Sequence, residues 1–387
     1  SLHDALPILM NSTRKGLYAV ERGSDDGSRL TVDGTMVYNN WVDQSFTLRP
    51  SVLMNLTGTS SLIYEFYENA INNRVVFQNL TLVLANSLST NTIQSICLGS
   101  TGAAISGDTY GTLPSGISLS GTGYQWTYST TPTGVRTNIS GATSATYSPN
   151  TSVAPFNTAG TYYIYRNAIV SSTNNTGESP YVATNESNAA TITVNALSVG
   201  GSVGSNTTVC SGTNSGTVNL TGQTGNVLKW QYSTDGGTTW ADIVNTVTSQ
   251  PYTNLTQTTI GRAVVQNGAC PSANSNPVTI TVESTGSWAG SISNDWNDSR
   301  NWICGQVPTS AINVFIQSGA SNYPVISSGT ATANNVTIQS GGSLTVTGGN
   351  LQIFGAITNT SKTFDATNGT IEMKGASAQT IDGTMFY

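Results

Sequence analysis

Apolar and polar residues alternate along most of this chain. In LIYEFYE (62–68), RVVFQNLTLVL (74–84) and TITVNA (191–196), β-branched or aromatic residues recur at alternate positions. Gly, Asn or Asp interrupts the alternation roughly every 8–12 residues, which is the spacing of short strands joined by turns. No window keeps the 3.6-residue period of a helix. The pattern predicts an all-β fold of tandem β-sandwiches followed by the start of a parallel β-solenoid, each module enclosing its own small interior.

Two stretches in the middle of the chain resemble each other. YQWTYS around Trp126 is followed by SNAATITV (187–194), and LKWQYS around Trp230 is followed by SNPVTITV (275–282). A Trp on a central strand, followed by hairpins and a β-branched strand, is typical of an immunoglobulin-like sandwich of about 100 residues. Both tryptophans are therefore predicted to lie in a core. Such repeats resemble those of secreted surface proteins of gliding bacteria.

These patterns divide the chain into five segments. The first eight residues, SLHDALPI, resemble a translated sequencing adapter, so we expect them to be foreign to the fold and the chain to be an internal piece of a longer protein. The predicted segments are 1–10, outside the fold; 11–86, a partial sandwich; 93–196 and 198–283, the two immunoglobulin-like sandwiches; and 287–387, a capped β-helix start.

The composition excludes several kinds of catalytic site, metal site and binding partner. His3 is the one histidine and lies in the adapter-like stretch, so Ser-His-Asp catalysis and His-ligated metal sites are excluded. The net charge is −6 without a basic run, which disfavours nucleic acid as a partner. The sequence contains no run of about 18 apolar residues, so it predicts no membrane-spanning helix. Few charges and many Thr, Asn and Gly residues suit an extracellular surface.

Four elements in the first sandwich resemble one known family. SDDG at 24–27, DG at 33–34, NW at 40–41 and EFYEN at 65–69 occur in the order of the second half of the anthrax protective-antigen-type domain. That family is a β-sandwich found also in yeast flocculins, in bacterial adhesins and as an insert in some glycosidases. The resemblance covers residues 17–80, and it implies a lectin-like module.

The resemblance also implies a calcium site. In the lectin members of the family an Asp-Asp pair binds calcium, which then takes up sugar hydroxyls. The matching ligands here are Asp25 and Asp26, with Asn69 and Asn72 from a second loop, so calcium and glycans are candidate partners. Calcium prefers such oxygen ligands. The alternative is that the two carboxylates bond backbone amides of a turn, and the replacement of the family's glycines by AINN (70–73) favours it.

The four cysteines bear on whether the protein lies in an oxidising compartment. Cys210 and Cys270 flank one predicted sandwich, and a disulfide between them would indicate an oxidising environment. Cys97, the first repeat's counterpart of Cys210, is expected to be unpaired. Cys304 stands alone in the last segment. No Cys-x-x-Cys motif is present, which disfavours a metal cluster.

The last segment resembles the start of a right-handed parallel β-helix. Short alternating strands are separated by Gly-rich turns, and their spacing does not fix a coil length. The preceding tryptophans, expected to cap the coil rather than to stack on sugars, are Trp288, Trp296 and Trp302. Glu372, between Ile371 and Met373, is expected to face outward.

STDGGTTW (233–240) fits the Asp-box pattern of sialidase propellers. We interpret it as a structural hairpin, because it occurs once and no Arg cluster for a sialic acid carboxylate accompanies it.

Taken together, the residues predict an extracellular or outer-cell-surface protein for adhesion, carbohydrate binding and spacing. We expect a monomeric rod without catalytic activity. The alternative is that the chain is a portion of a secreted polysaccharide-degrading enzyme, a glycosidase or a lyase. That portion would be non-catalytic, because no pair of carboxylates at the spacing of a glycosidase site stands out in the sequence.

Overall fold

The computed structural model describes residues 6–69, 74–176, 180–361 and 363–381. Within these ranges there are 33 β-strands and one short 3₁₀ turn, so the all-β prediction is confirmed. None of the described residues lies in a helix that could cross a membrane. The chain separates into two compact units: the residues up to Leu197 together with Asn267–Pro271, and Ser198–Gln266 together with the residues from Ser272 onward.

The first unit begins with a two-sheet sandwich. One sheet has the strand order β1-β6-β3-β4 and the other β5-β2-β7, and the pairs are antiparallel. The inner faces bury alternating residues of both sheets, among them Val20, Leu30, Val52 and Tyr64. The strands are β1 (Leu6–Ser12), β2 (Lys15–Ser24), β3 (Ser28–Val32), β4 (Thr35–Asn40), β5 (Thr47–Thr57), β6 (Ser60–Phe66) and β7 (Val75–Leu84).

The structure differs from the expectation that residues 1–10 lie outside the fold at residues 6–10, whereas residues 1–5 lie outside the described residues. Residues from Leu6 onward belong to β1, which pairs with β6 over its whole length. Met10 packs against the sandwich core. An unpaired strand edge offers a row of free N–H and C=O groups, and β1 supplies partners for those of β6.

The second part of the first unit is an immunoglobulin-like sandwich. Its main sheet has the order β12-β11-β13-β15-β9, with β14 also paired to β13 and β9 parallel to β15. Trp126 is fully buried there, as predicted, and donates its indole N–H to the Ser144 carbonyl. The strands are β8 (Leu88–Thr90), β9 (Ile93–Cys97), β10 (Ser106–Gly107), β11 (Ile117–Ser129), β12 (Thr137–Asn138), β13 (Gly160–Ser172), β14 (Tyr181–Glu186) and β15 (Ala190–Asn195).

The two sandwiches of the first unit share an interior, which differs from the expectation of separate small cores. Leu17 and Leu53 of the first sandwich lie in one buried cluster with Ala168 and Val170 of the second. Asn175 extends the contact, because its amide bonds both the backbone N–H and the carbonyl of Leu53 at 2.9 Å. The strand β2 and the middle of β5 therefore carry buried apolar side chains on both faces of the sheet.

The second unit begins with the other immunoglobulin-like sandwich. Its sheets have the orders β17-β24-β22-β19-β20, with β23 paired to β22, and β16-β18-β21. Trp230 is buried, as predicted. The strands are β16 (Ser202–Val203), β17 (Thr207–Cys210), β18 (Ser215–Thr221), β19 (Asn226–Ser233), β20 (Ala241–Ile243), β21 (Ser249–Thr253), β22 (Thr259–Gln266), β23 (Ala273–Asn274) and β24 (Val278–Glu283).

The rest of the second unit is built from three parallel three-stranded sheets. Successive strands visit the sheets in turn, and hydrogen-bonded partners lie 20–22 residues apart in the chain. The elements are the 3₁₀ turn Ser299–Asn301, β25 (Val314–Ile316), β26 (Val325–Ile326), β27 (Thr330–Ala333), β28 (Val336–Ile338), β29 (Leu344–Val346), β30 (Asn350–Ile353), β31 (Ile357–Asn359), β32 (Phe364–Asp365) and β33 (Thr370–Met373).

The three tryptophans before these sheets lie in their core. Trp302 meets the rings of Trp288 and Trp296 edge to face at 4.9 Å, and all three are buried together with the apolar stack of the sheets. Their rings are therefore buried rather than exposed for stacking on sugars, and the capping role stays a prediction. Glu372 follows expectation as well, because its neighbours Ile371 and Met373 pack inward while its carboxylate binds the side chain of Gln352 on the adjacent strand.

The cysteine pairing differs from the predicted one. Cys97 is bonded to Cys270, 173 residues away, and Cys210 to Cys304, 94 residues away. Cys210 aligns with Glu283 at the end of β24, whereas β22 runs antiparallel to β24 and leads to the loop of Cys270 at the other end of the sheet. The two cysteines thus lie at opposite ends of the sheet and do not meet.

Candidate functional site

The Asp-Asp pair lies in the turn between β2 and β3, where Asp26 joins three loops. One carboxylate oxygen of Asp26 accepts the Asn69 N–H at 2.6 Å, and the other accepts the Gln44 N–H at 3.2 Å. The side chain is buried. Because these donors follow β6 and β4, the carboxylate holds three separate loops together at one end of the sandwich.

Close packing fixes the path of this turn. Asp26 has a positive φ of 51°, a conformation that Asp tolerates better than most residues. The Ser24 hydroxyl donates to the Asp26 carbonyl at 2.8 Å. A Cβ at Gly27 would lie 2.2 Å from the Tyr67 ring and 2.8 Å from the Trp41 Cα, so only glycine fits there.

A second carboxylate, from Asp43, lies in the same loop cluster. It accepts the Tyr67 hydroxyl at 2.7 Å and the Asn69 side-chain amide at 3.0 Å. Burial, together with the hydrogen bond to Asp43 and the nearby charge of Asp26, raises the pKa of Tyr67 to about 12. Trp41 packs against Tyr67 with the ring centroids 4.7 Å apart.

The structure brings together only part of the predicted ligand set. Asn69 meets Asp26 through its backbone and Asp43 through its side chain. Asp25 is half-buried beside them, with its N–H bonded to the Arg74 carbonyl at 2.8 Å. Asn72 lies outside the described residues. Sequence reasoning missed Asp43, although an acidic residue two positions after NW is conspicuous in a chain with 8% charged residues.

The carboxylate of Asp26 has the role that the turn alternative gives it. Both of its oxygens already accept backbone N–H groups. Asp25 and Asp43 are more exposed than Asp26, and each oxygen of Asp43 accepts one hydrogen bond from a side chain. Calcium binding at this cluster remains a prediction.

Replacing Asp26 with Asn is expected to lower the free energy of unfolding of the first unit by about 1–3 kcal/mol, with or without calcium. The amide has one acceptor oxygen, so one part-buried backbone N–H loses its partner. Urea denaturation of the full chain measures the change, and Asp25→Asn serves as the control with a much smaller loss. Equal losses in the two variants would contradict the clamp role.

Alkaline pH is expected to destabilise the first unit. Burial raises the pKa of six tyrosines, all in that unit: Tyr64, Tyr67, Tyr110, Tyr124, Tyr147 and Tyr181. The folded state keeps protons that the unfolded chain releases near pH 10. Stability is therefore full below about pH 10 and declines as pH rises toward 12.

Urea midpoints measured across this range, with tyrosinate absorbance as the probe, test the alkaline effect. A Tyr67→Phe variant has a smaller decline, because one of the protons no longer dissociates. A midpoint that stays constant up to pH 12 would contradict the prediction.

The Asp-box hairpin carries another carboxylate with a structural role. Asp235 accepts the N–H groups of Thr238 and Thr239 at 3.0 and 2.9 Å and the hydroxyl of Ser233 at 2.7 Å. Hydrogen bonds from Thr239 above all hold the pKa of Asp235 well below its usual range. The carboxylate is therefore ionised and closes the turn.

Comparisons with known proteins match two parts of the chain. Residues 199–284 match a family described as Domain of unknown function (DUF8696), and residues 287–377 match Domain of unknown function (DUF8693). No curated protein matches the chain significantly.

Similar solved structures consist of Ig domains or of fibronectin-type modules. The N-terminal four Ig domains of Dscam1 isoform 4.44 share 10% identity, with 71% of this chain and 74% of that chain covered and a TM-score of 0.26. The FN1-FN3 domains of chicken CNTN1 share 10% identity over 71% and 98%, with a TM-score of 0.23. Fibronectin(III)-like modules of CbhA from Clostridium thermocellum share 12% over 51% and 94%, also at 0.23. At such low scores no function is transferred from them.

Proposed function

We propose that this chain is a non-catalytic part of an extracellular, cell-surface protein that spaces and presents binding modules. The observation that carries the proposal is the cysteine pairing, in which all four cysteines of the chain lie in two disulfides. Such bridges form and persist in oxidising compartments. They span long stretches of chain, which suits modules that must keep their arrangement outside the cell.

The use of carboxylates supports the non-catalytic part of the proposal. Catalysis on a glycoside needs an acid and a base that are free to exchange protons. Here the carboxylates of Asp26 and Asp235 bind backbone N–H groups of turns. Glu372 accepts amide groups from Asn350 and Gln352 at 3.0 and 2.9 Å, and these bonds lower its pKa.

The loop cluster around Asp25 and Asp43 supports the binding part. The half-buried Asp25, the exposed Asp43 and the aromatic ring of Trp41 lie at one end of the first sandwich. Calcium takes oxygen ligands of this kind, and the family that this segment resembles includes lectins. A glycan is therefore the ligand class that we assign to the cluster.

Binding and turnover of the full chain on a polysaccharide panel test the proposal, with calcium or with a chelator. Wild type is expected to bind at least one glycan only with calcium and to release no reducing ends. Asp25→Asn loses that binding, whereas Asp242→Asn, which removes an exposed carboxylate of the second unit, keeps it. Release of reducing ends by wild type, and not by Glu372→Gln, would instead favour the polysaccharide-degrading enzyme. Absence of calcium-dependent binding would contradict the lectin role.

A further inference from the structure

A cleft of about 340 Å³ opens between the two sheets of the second immunoglobulin-like sandwich. Trp230 and Ile243 come from one sheet, and Tyr252 and the following Leu255 from the other side. Gln250 and other uncharged polar side chains lie around these apolar walls, and the lining residues include no Asp, Glu, Lys or Arg. The volume is within the range of small-ligand sites, which begins at about 300 Å³.

The residue pairing between strands gives an alignment of the two repeats. Trp126 pairs with Arg166 in the first repeat, and Trp230 pairs with Ala263 in the second. Counting back along β13 and β22 from these pairs makes Thr259 the counterpart of Tyr162 and Gly261 the counterpart of Ile164. The last strands agree, because Tyr162 pairs with Ile192 and Thr259 with Ile280 of the two equivalent TITV segments.

In the first repeat this space is filled by side chains. Tyr162 and Ile164 are buried there, together with Phe156 from the loop before β13. The Phe156 ring meets Tyr162 edge to face at 5.0 Å and Tyr128 at 5.8 Å. An aromatic side chain on a short loop therefore completes the core of the first sandwich.

In the second repeat the corresponding side chains are missing. Thr259 and Gly261 both line the cleft. A Cβ at Gly261 would touch only Val278, at 3.6 Å, so the backbone there leaves room. Tyr232, the counterpart of Tyr128, is 41% exposed because it has lost its aromatic neighbours. With Thr259 and Gly261 in place of Tyr and Ile, the core of the second sandwich has fewer packing contacts and is less stable. A bound ligand can restore those contacts.

We infer that this cleft binds an uncharged aromatic ring. The first repeat identifies the group, because there the Phe156 phenyl ring packs against Tyr162, whose counterpart Thr259 lines the cleft. Size agrees, since an apolar cavity of about 150 Å³ is enough to take up benzene and this cleft is larger. The ring would lie against Trp230 and Leu255, and Gln250 at the rim could bond a polar substituent. This site is separate from the loop cluster of the first unit, and it does not depend on calcium.

The ring has two sources, a free aromatic compound or the aromatic side chain of a polypeptide, and two probes distinguish them. One is p-cresol, which is uncharged at neutral pH. The other is a capped peptide with the sequence of residues 152–158, SVAPFNT, which presents Phe156 as the first repeat does. Its Phe156→Ala form is the matched control peptide. Saturation-transfer NMR and calorimetry on the full chain measure binding of each probe.

The variant that tests the site carries the first repeat's side chains, Thr259→Tyr with Gly261→Ile. It is expected to weaken binding of the probe that wild type binds by at least about tenfold, while its melting temperature stays equal or rises because the cleft is filled. Ile260→Val changes the opposite face of the same strand and is expected to leave binding unchanged. If the double variant fails to fold, Gly261→Val alone fills part of the cleft and should still weaken binding.

Binding of p-cresol alone assigns the site to a free aromatic compound, and binding of the peptide but not its Ala form assigns it to a polypeptide. Either result supports the inference. Wild type that binds neither probe, or a filled, folded variant that binds as wild type does, would overturn it.

Discussion

Replacing Cys210 and Cys304 together with Ser is expected to lower the free energy of unfolding of the second unit by about 4–5 kcal/mol. The bridge closes a loop between residues 94 apart, and opening it returns the loop-closure entropy to the unfolded chain. It joins the end of β17 in the sandwich to the segment that follows Trp302, so both modules of the unit lose a common constraint.

Urea denaturation of the full chain, followed by Trp fluorescence, measures this loss. Five of the seven tryptophans lie in the second unit, so fluorescence reports mainly on it. The matched control is Cys97→Ser with Cys270→Ser, which removes a bridge of the first unit. It should leave the transition of the second unit nearly unchanged.

The pairing itself can be checked by mass spectrometry of unreduced peptides. We expect Cys210 to be recovered with Cys304 and Cys97 with Cys270. Recovery of a Cys210–Cys270 peptide would contradict the structure and restore the pairing that the spacing suggested.

The second large effect is expected for Trp302→Ala, at about 3–5 kcal/mol of the unfolding free energy of the second unit. Trp302 is buried between two other indoles, and its N–H donates to the Trp296 carbonyl at 2.8 Å. Its removal leaves a cavity in the core that the three indoles share with the parallel sheets. The Trp296 carbonyl also loses the hydrogen bond from the Trp302 indole. The parallel sheets behind it then lose their cover.

The control is Trp240→Ala, which truncates a half-exposed indole of the same unit. Trp240 packs under the Arg262 guanidinium, 3.8 Å from its ring, and its loss should cost far less. Urea midpoints of both variants and of wild type give the comparison. If the two variants lose equal stability, the three-indole cluster does not cover the end of the parallel sheets.

The local elements could be predicted from the sequence. A period of two with turn residues between the runs specifies strands, and the burial of Trp126 and Trp230 followed from their place on such strands. The burial of Trp288, Trp296 and Trp302 also agrees with the sequence-based expectation that they do not stack on sugars. The role of Asp26 in a turn was one of two alternatives that the residues left open, and its bonds to Gln44 and Asn69 settle what its carboxylate does.

Other features needed the tertiary structure. β2 is buried at nearly every position from Gly16 to Ser24 because both faces of its sheet are covered. A strand covered on both faces is expected to show a continuous apolar run, but the short run LYAV did not stand out from ordinary alternation. The shared interior of the first unit was missed for that reason.

What the sequence determined by itself is the class of structure, since alternation and turn chemistry act over a few neighbouring residues. Which cysteines bond, which loops Asp26 joins and where a cleft opens were decided only by the fold. Four cysteines allow three connectivities, and strand direction selected one of them. Likewise, Thr259 and Gly261 become meaningful only when register sets them opposite the Tyr162 and Ile164 of the first repeat. These properties depend on residues far apart in the chain, whose proximity local sequence patterns do not encode.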